Sequence, residues 1–285
     1  MLDFHCHSTC SDGTLPPSAL AERGLGFAAF ALTDHDTCDG CAAFLSACRG
    51  QGGLRLAGVE LSVEPGEGFG EFHLLGLGVD PASARLGAFL DGIRADREER
   101  NRKIIARLAA LGMPFDADEL RQHAGGRVVA RPHFARVLVA HGWARDGADA
   151  FNRLLAVGRP GYVPRAQPEP QAAIDAVHAA GGLAVMAHPR YWTQDAARLR
   201  EGLRKLKDAG LDGVEAIYGR NTIDETRAHL RLARELGLLV TAGSDFHGEN
   251  RPDVPLGLTV EDEAALVEAV RARLRPSSAP GPFAE

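Results

Sequence analysis

The sequence predicts an α/β protein, a parallel sheet or barrel interrupted by one helical insertion. Short β-like runs recur along the chain, and most are followed by helical text. Runs such as Phe30-Ala31-Leu32 and Leu183-Ala184-Val185-Met186 are apolar without alternation, as expected of strands buried on both faces. One long stretch carries no strand at all.

In chain order, the predicted strands are Leu2–His5, Ala28–Thr33, Arg55–Leu61, Phe72–Leu77, Leu183–Ala187, Gly213–Ile217 and Leu238–Ala242. Helical patterns fill Pro17–Gly24, Cys41–Gly50, Pro170–Ala180, Ala196–Ala209, Ile223–Leu236 and Glu263–Leu274. Seven strands would make a barrel slightly short of the usual eight. The stretch between the fourth and fifth strands reads as helices at Ala95–Leu111, Ala117–His123, Arg131–Ala140 and Asp146–Ala156. Turns at Gly112-Met113-Pro114, Gly125-Gly126 and Gly158-Arg159-Pro160-Gly161 punctuate them. This divides the chain into a discontinuous barrel (residues 1–94 and 166–275), a helical cap (95–165) and a flexible Pro-rich tail (276–285).

With 285 residues, 45% hydrophobic and 25% charged, the chain is globular rather than disordered, and large enough for one domain plus a subdomain. Its longest apolar run, Leu25–Leu32, is too short to span a bilayer. The start, Met1-Leu2-Asp3-Phe4-His5, lacks a basic region followed by an apolar stretch, so a cytoplasmic protein is expected. Five cysteines crowded into the first 48 residues do not resemble a disulfide framework.

The net charge of −6 argues against duplex DNA as a partner. Residues 94–165 nevertheless hold 14 Lys+Arg against 8 Asp+Glu. A basic segment in an acidic frame suits an anionic substrate beside bound cations, although the mixed signs of Arg94–Arg107 also read as a solvated helix face.

The chemistry lies in the histidines. Of 11, six sit at or beside a predicted strand: His5, His7, His35, His73, His188 and His247. Asp12, Glu60 and Asp245 accompany them. In a parallel barrel, residues at C-terminal strand ends converge on one mouth. Imidazoles and carboxylates together suit borderline divalent ions such as manganese, iron or zinc. A catalytic zinc typically uses three protein ligands, so nine could hold two or three ions with positions open for water and substrate. Clustered ions are the usual device for phosphate-ester hydrolysis. The remaining motifs are ordinary. Cys38-x-x-Cys41 lacks a second pair, Gly66-x-Gly68-x-Gly70 reads as a hairpin-like turn, Ser244-Asp245-His247 is no serine triad, and His123, His141, His178 and His229 lie in helical text.

Taken together, Phe4-His5-Cys6-His7-Ser8, Ser11-Asp12-Gly13, Thr33-Asp34-His35-Asp36, Gly58-Val59-Glu60, His73, Ala187-His188-Pro189 and Gly243-Ser244-Asp245-Phe246-His247 resemble the PHP family of polymerases and histidinol phosphatases. The resemblance implies a distorted (β/α)7 TIM-like barrel holding up to three metals. On it, His5, His7, Glu60 and Asp245 hold one ion. Glu60 bridges to a second with His73 and His188, and Asp12, His35 and His247 hold the third. Manganese is the first choice, iron or zinc the alternatives. Asp12, Glu60, Asp245 and His247 are the catalytic group, serving attack on phosphorus by a metal-bridging hydroxide.

Gly125–Arg136, Gly161-Tyr162-Val163-Pro164 and His188-Pro189-Arg190-Tyr191 resemble the branch of 3′,5′-nucleoside bisphosphate phosphatases and 5′→3′ exoribonucleases. The implied substrate is a small nucleotide, with release of its 3′-phosphate. Arg131, His133, Arg190, Arg165 and Tyr162 are its candidate contacts, because guanidinium forks grip phosphates bidentately. Competing functions are trimming of short 5′-phosphorylated RNA and hydrolysis of another small ester, such as histidinol phosphate or a cyclic nucleotide. A non-catalytic metal-binding or nucleotide-sensing module is a further alternative, opposed by the complete ligand set.

Overall fold

A computed structural model describes residues 1–124 and 126–274. The tail expected at 276–285 and Gly125 of the predicted Gly-Gly turn lie outside the described residues. The strands are β1 (Leu2–Asp3), β2 (Ala29–Leu32), β3 (Leu54–Val63), β4 (Phe72–Leu77), β5 (Leu183–Met186), β6 (Gly213–Tyr218) and β7 (Leu239–Gly243). They form one sheet in sequence order. Hydrogen bonds from Phe4 N–H to Ala242 O (2.9 Å) and from Asp245 N–H to His5 O (2.8 Å) join its first and last strands, so the sheet curls into a nearly closed barrel.

The expectation of a parallel sheet needs correction at one strand. β4 is antiparallel to both β3 and β5, while the other four pairings are parallel. The reason is chain length. A parallel pair needs a crossover of a dozen or more residues, and only 64–71 separate β3 from β4. That segment carries the three predicted turn glycines, with Gly66 and Gly68 at φ 83° and 73°. The reversal puts the start of β4, and so His73, at the rim where the parallel strands end.

Both faces of the sheet are buried. Leu2, Ala29, Ala31, Leu56, Leu75, Leu77, Val185 and Leu239 fill the barrel. Val59, Leu61, Leu74 and Met186 face outward onto Ala173, Ile174 and Val177 of α7 (Pro170–Ala179). Each such leucine contributes about 1.5–3 kcal/mol by leaving water. The outer layer continues with α1 (Pro17–Arg23), α2 (Cys41–Ala47), α8 (Ala196–Asp208), α9 (Ile223–Leu236) and α10 (Glu263–Arg273). The bounds of α9 have local causes. Thr222 and Glu225 form a capping box, and Gly237 ends the helix in the left-handed region at φ 62°.

The insertion is helical, as predicted, with shifted bounds. Its first helix, α3 (Ala84–Ala110), spans 27 residues and starts well before Ala95, because the Ser83 hydroxyl caps Leu86 N–H and Leu86, Leu90 and Ile93 pack on the barrel. Further along, Ile104 and Leu108 enter a separate core with Leu120 of α4 (Ala117–Gln122), Phe134 and Leu138 of α5 (Arg131–Ala140), and Leu155. The predicted helix Asp146–Ala156 is instead a short α6 (Gly147–Ala150) running into a π-turn at Phe151–Leu155. No helix among the described residues is long and apolar enough to cross a membrane.

Candidate metal centre

The nine predicted ligands meet at one end of the barrel, delivered by several pieces of local structure. His5 and His7 follow β1 with Cys6 between them. The pleat sends Cys6 the other way, where its thiol donates to Ala31 O within an apolar cluster. Asp12 sits in a tight loop organised by buried Asp34, which accepts from Ser8 N–H, the Ser8 hydroxyl and the Ser11 hydroxyl at 2.6–2.7 Å. Gly13 is obligatory there, since a Cβ would lie 2.2 Å from His7 O. His188 and Asp245 adopt left-handed backbone at φ 26° and 60°. Such strain costs about 1–3 kcal/mol per residue and is typical of functional sites.

Three groups of donor atoms result, each within 4.8 Å: His5, His7, Glu60 and Asp245; His7, Asp12, His35 and His247; and His35, Glu60 and His73. The first reproduces the predicted set. The second adds His7 to a predicted trio. In the third, His35 takes the place expected for His188. The predicted trio is nonetheless compact: His73 Nδ1 and His188 Nε2 lie 2.9 and 3.1 Å from Glu60 Oε1 and 3.3 Å from each other. Glu60 is fully buried and belongs to the first and third groups. Its other oxygen lies 3.2 Å from His7 Nε2 and 2.9 Å from His35 Nδ1.

These donors fit a metal-ion cluster. Asp12 Oδ1, His35 Nδ1, Glu60 Oε2 and His247 Nε2 are buried and have no hydrogen-bond partner among the described residues, although their neighbours stand at ion-pair distance. Unpaired buried polar atoms are costly and therefore rare. Several converging on one point suit a cation. Burial pushes the Glu60 carboxyl up, but the positive potential of His35, His5 and His73 outweighs it and holds the acid well below the usual carboxylate range. Asp12 and Asp245 are lowered in the same way, against burial, chiefly by His247 and His35 and by Arg251 and His5 respectively. All three are ionised at neutral pH, as ligands must be.

A further shell aims these ligands. Asp245 Oδ2 accepts from the Tyr218 hydroxyl (3.0 Å) and from Arg251, which leaves Oδ1 facing His5 and His7. Glu215, fully buried on β6, pairs with His5. Sequence reading missed these three residues. A carboxylate in an apolar strand, Gly213-Val214-Glu215-Ala216-Ile217-Tyr218, was the available signal. Ser244 joins no triad: its hydroxyl donates to Asp3. Cys38 and Cys41 point at Gly58 O and stand apart from the metal-compatible groups.

Asp12, His35 and His73 form part of the wall of a cleft of about 580 Å³ between barrel and insertion. Of the predicted substrate contacts, Arg131, Tyr162 and Arg165 line it. Arg190 does not. Its guanidinium binds Arg220 O and faces Glu225, in a separate groove between α8 and α9. His133 is buried at the start of α5, where Nδ1 accepts the Ala130 N–H at 2.9 Å. Its burial lowers its pKa to about 4, so the ring is neutral.

The alternative of a solvated face for Arg94–Arg107 fails at Arg97 and Arg100. Both are only 7% exposed, and both line the cleft. Arg100 makes no hydrogen bond or ion pair among the described residues, and its Nε is buried without a partner. Burial, then the neighbouring Arg97, Arg165 and Arg131, depress its pKa to about 8. The cleft therefore has a wall of metal-compatible residues and a cationic wall.

Comparison with known proteins agrees with this geometry. The PHP domain family matches residues 3–115. A 3′,5′-nucleoside bisphosphate phosphatase of Chromobacterium violaceum is 36% identical over 89% of this chain and 90% of its own. A 5′-3′ exoribonuclease of Haemophilus influenzae is also 36% identical, over 86% of this chain and 89% of its own. Among solved structures, a Bifidobacterium adolescentis protein inferred to be a metal-dependent phosphoesterase superposes with a TM-score of 0.85 at 31% identity, covering 97% of both chains.

Proposed function

The chain belongs to the PHP family, and we propose from that membership and the two-walled cleft that it removes the 3′-phosphate from nucleoside 3′,5′-bisphosphates. It is a metal-dependent phosphoesterase; the substrate is our inference. The observation that carries it is Arg100, a buried side chain with no hydrogen-bond or ion-pair partner among the described residues, facing the same cleft as the metal-compatible groups. An unpaired buried cation is costly, and a second anionic group on the substrate would compensate it.

His5, His7, Asp12, His35, Glu60, His73, His188, Asp245 and His247 would hold two or three divalent ions, manganese by preference. When bound, such ions lower the pKa of water and neutralise charge building on phosphoryl oxygens. The protein's own groups do the rest. Glu215, Tyr218 and Arg251 hold the ligands in orientation. Arg97, Arg100 and Arg165 bind the phosphate that is not cleaved, where fork geometry favours bidentate contacts. Arg131 lies about 6 Å from the ring centres of both Phe151 and Tyr162, and this apolar end suits the nucleoside. Asp12, Glu60, Asp245 and His247 remain the proposed catalytic group.

The second reading is 5′→3′ trimming of short RNA, favoured by the exoribonuclease relative. Both reactions attack the same 3′-phosphorus and differ in the group beyond it. The test uses purified protein with Mn²⁺, a metal-stripped control, adenosine 3′,5′-bisphosphate and a 5′-phosphorylated RNA oligomer. Rapid release of AMP and phosphate with slow trimming supports the phosphatase. Equal or faster release of mononucleotides from RNA makes the exonuclease primary. A metal-loaded protein inactive on both overturns the substrate assignment.

A further inference from the structure

Asp36 follows the metal-ligand candidate His35, belongs to none of the donor groups and is fully buried. Its backbone is left-handed, at φ 52°, a conformation that aspartate tolerates better than most residues. Two bonds pin it to β3: its N–H donates to Glu60 O (2.9 Å), and its Oδ1 accepts Ser62 N–H (3.2 Å). Its remaining acceptors face the insertion. Oδ2 receives Arg97 and, at 3.0 Å, Arg165, while the Asp36 carbonyl receives Arg94 at 3.4 Å. Arg94 and Arg97 lie on the helix that leaves the barrel, and Arg165 lies on the segment that returns to it. One carboxylate thus ties together both ends of the insertion.

The charges there are informative. Arg97, Arg100 and Arg165 bring three positive charges to one wall, and Asp36 is the anion bonded to two of them. One carboxylate among three guanidiniums leaves a net positive charge, which suits a phosphate monoester carrying about −1.5 to −2. Asp36 engages the other two and not Arg100, which has no hydrogen-bond or ion-pair partner among the described residues.

We propose that Asp36 is a positioning residue: it holds Arg97 and Arg165 beside Arg100 and so shapes the cradle for the substrate phosphate that is not cleaved. This rests on the bisphosphate reading above and adds the residue that sets its selectivity. It acts through arginines, not on the reacting atoms.

The test compares wild type with Asp36→Asn on a nucleoside 3′,5′-bisphosphate and on the matching 3′-monophosphate, which lacks the second phosphate. Wild type is expected to prefer the bisphosphate. Asp36→Asn should lose at least tenfold of that preference, chiefly in KM. In metal-stripped protein, titrated AMP should bind at least tenfold more weakly to the variant. Equal losses on both esters with unchanged AMP affinity would overturn the inference, because Asp36 would then act through His35 alone. A wild type with no preference for the bisphosphate would overturn the functional reading, and this inference with it. If Asp36→Asn does not fold, Arg165→Gln keeps the carboxylate and should show the same selective loss. Full preference in that variant also overturns the proposal.

Discussion

His5 Nδ1 lies 3.0 Å from Glu215 Oε1, and neither side chain reaches solvent. The other Glu215 oxygen accepts the His188 N–H at 2.8 Å. One carboxylate on β6 therefore holds two segments that bear candidate ligands, and it turns His5 Nε2 towards Glu60. The contact is so close that a Cβ on Gly243 would sit 2.2 Å from Glu215 Oε1. Carboxylates behind ligand histidines fix the tautomer and raise basicity, and their loss typically weakens metal binding by about 10–100-fold. We expect Glu215→Gln to weaken Mn²⁺ binding by about that factor, measured by titration of metal-stripped protein. Wild-type affinity in the variant would count against this role.

The candidate ligands themselves should be less forgiving. Alanine at His5, Glu60 or Asp245 should lower turnover on the order of a thousandfold or more, since each removes a group that holds the charge-neutralising centre. Circular dichroism should show the fold retained. Chelation of wild type should give the same loss, and added Mn²⁺ should reverse it. Substantial turnover in any of the three variants would contradict the assignment.

Arg100→Met should separate stability from function. The side chain is buried, unpaired among the described residues and beside like charges, so replacing it by an apolar chain of similar length relieves desolvation and repulsion. Thermal denaturation should show a stabilisation on the order of 1 kcal/mol. KM for the bisphosphate should rise at least tenfold in the same variant. A destabilised variant with unchanged KM would mean that Arg100 is a packing residue.

His133 makes the insertion sensitive to acid. Burial, with Arg136, Arg97 and His123 nearby and only partly offset by Asp12, lowers its pKa from 6.5 to about 4. Protons therefore bind the unfolded chain first. The stabilising contribution is complete above about 6.5 and is lost as pH falls towards 4, by up to about 3 kcal/mol. Denaturant titrations from pH 7.5 to 4.5 should show wild type losing more stability than His133→Asn. Parallel curves would show that this ring does not control it.

The strands and the candidate ligands that the fold brings together were legible in the sequence because each depends on local text. A strand buried on both faces is apolar without alternation, and ligands at strand ends recur beside those runs. The chain itself thus determined seven strands, a helical insertion and nine candidate ligands. The direction of β4 was legible only in the length of the link before it. Other features were settled by tertiary structure alone. Arg97 and Arg100 stand in a helix of mixed charge, indistinguishable in sequence from Arg102 and Lys103, which face solvent. Arg190 lies two residues after the candidate ligand His188 yet points into another groove. Asp36 joins residues 94, 97 and 165 through its hydrogen bonds. Burial and pairing of a charged side chain depend on what distant segments place against it. Spacing along the chain carries no such information.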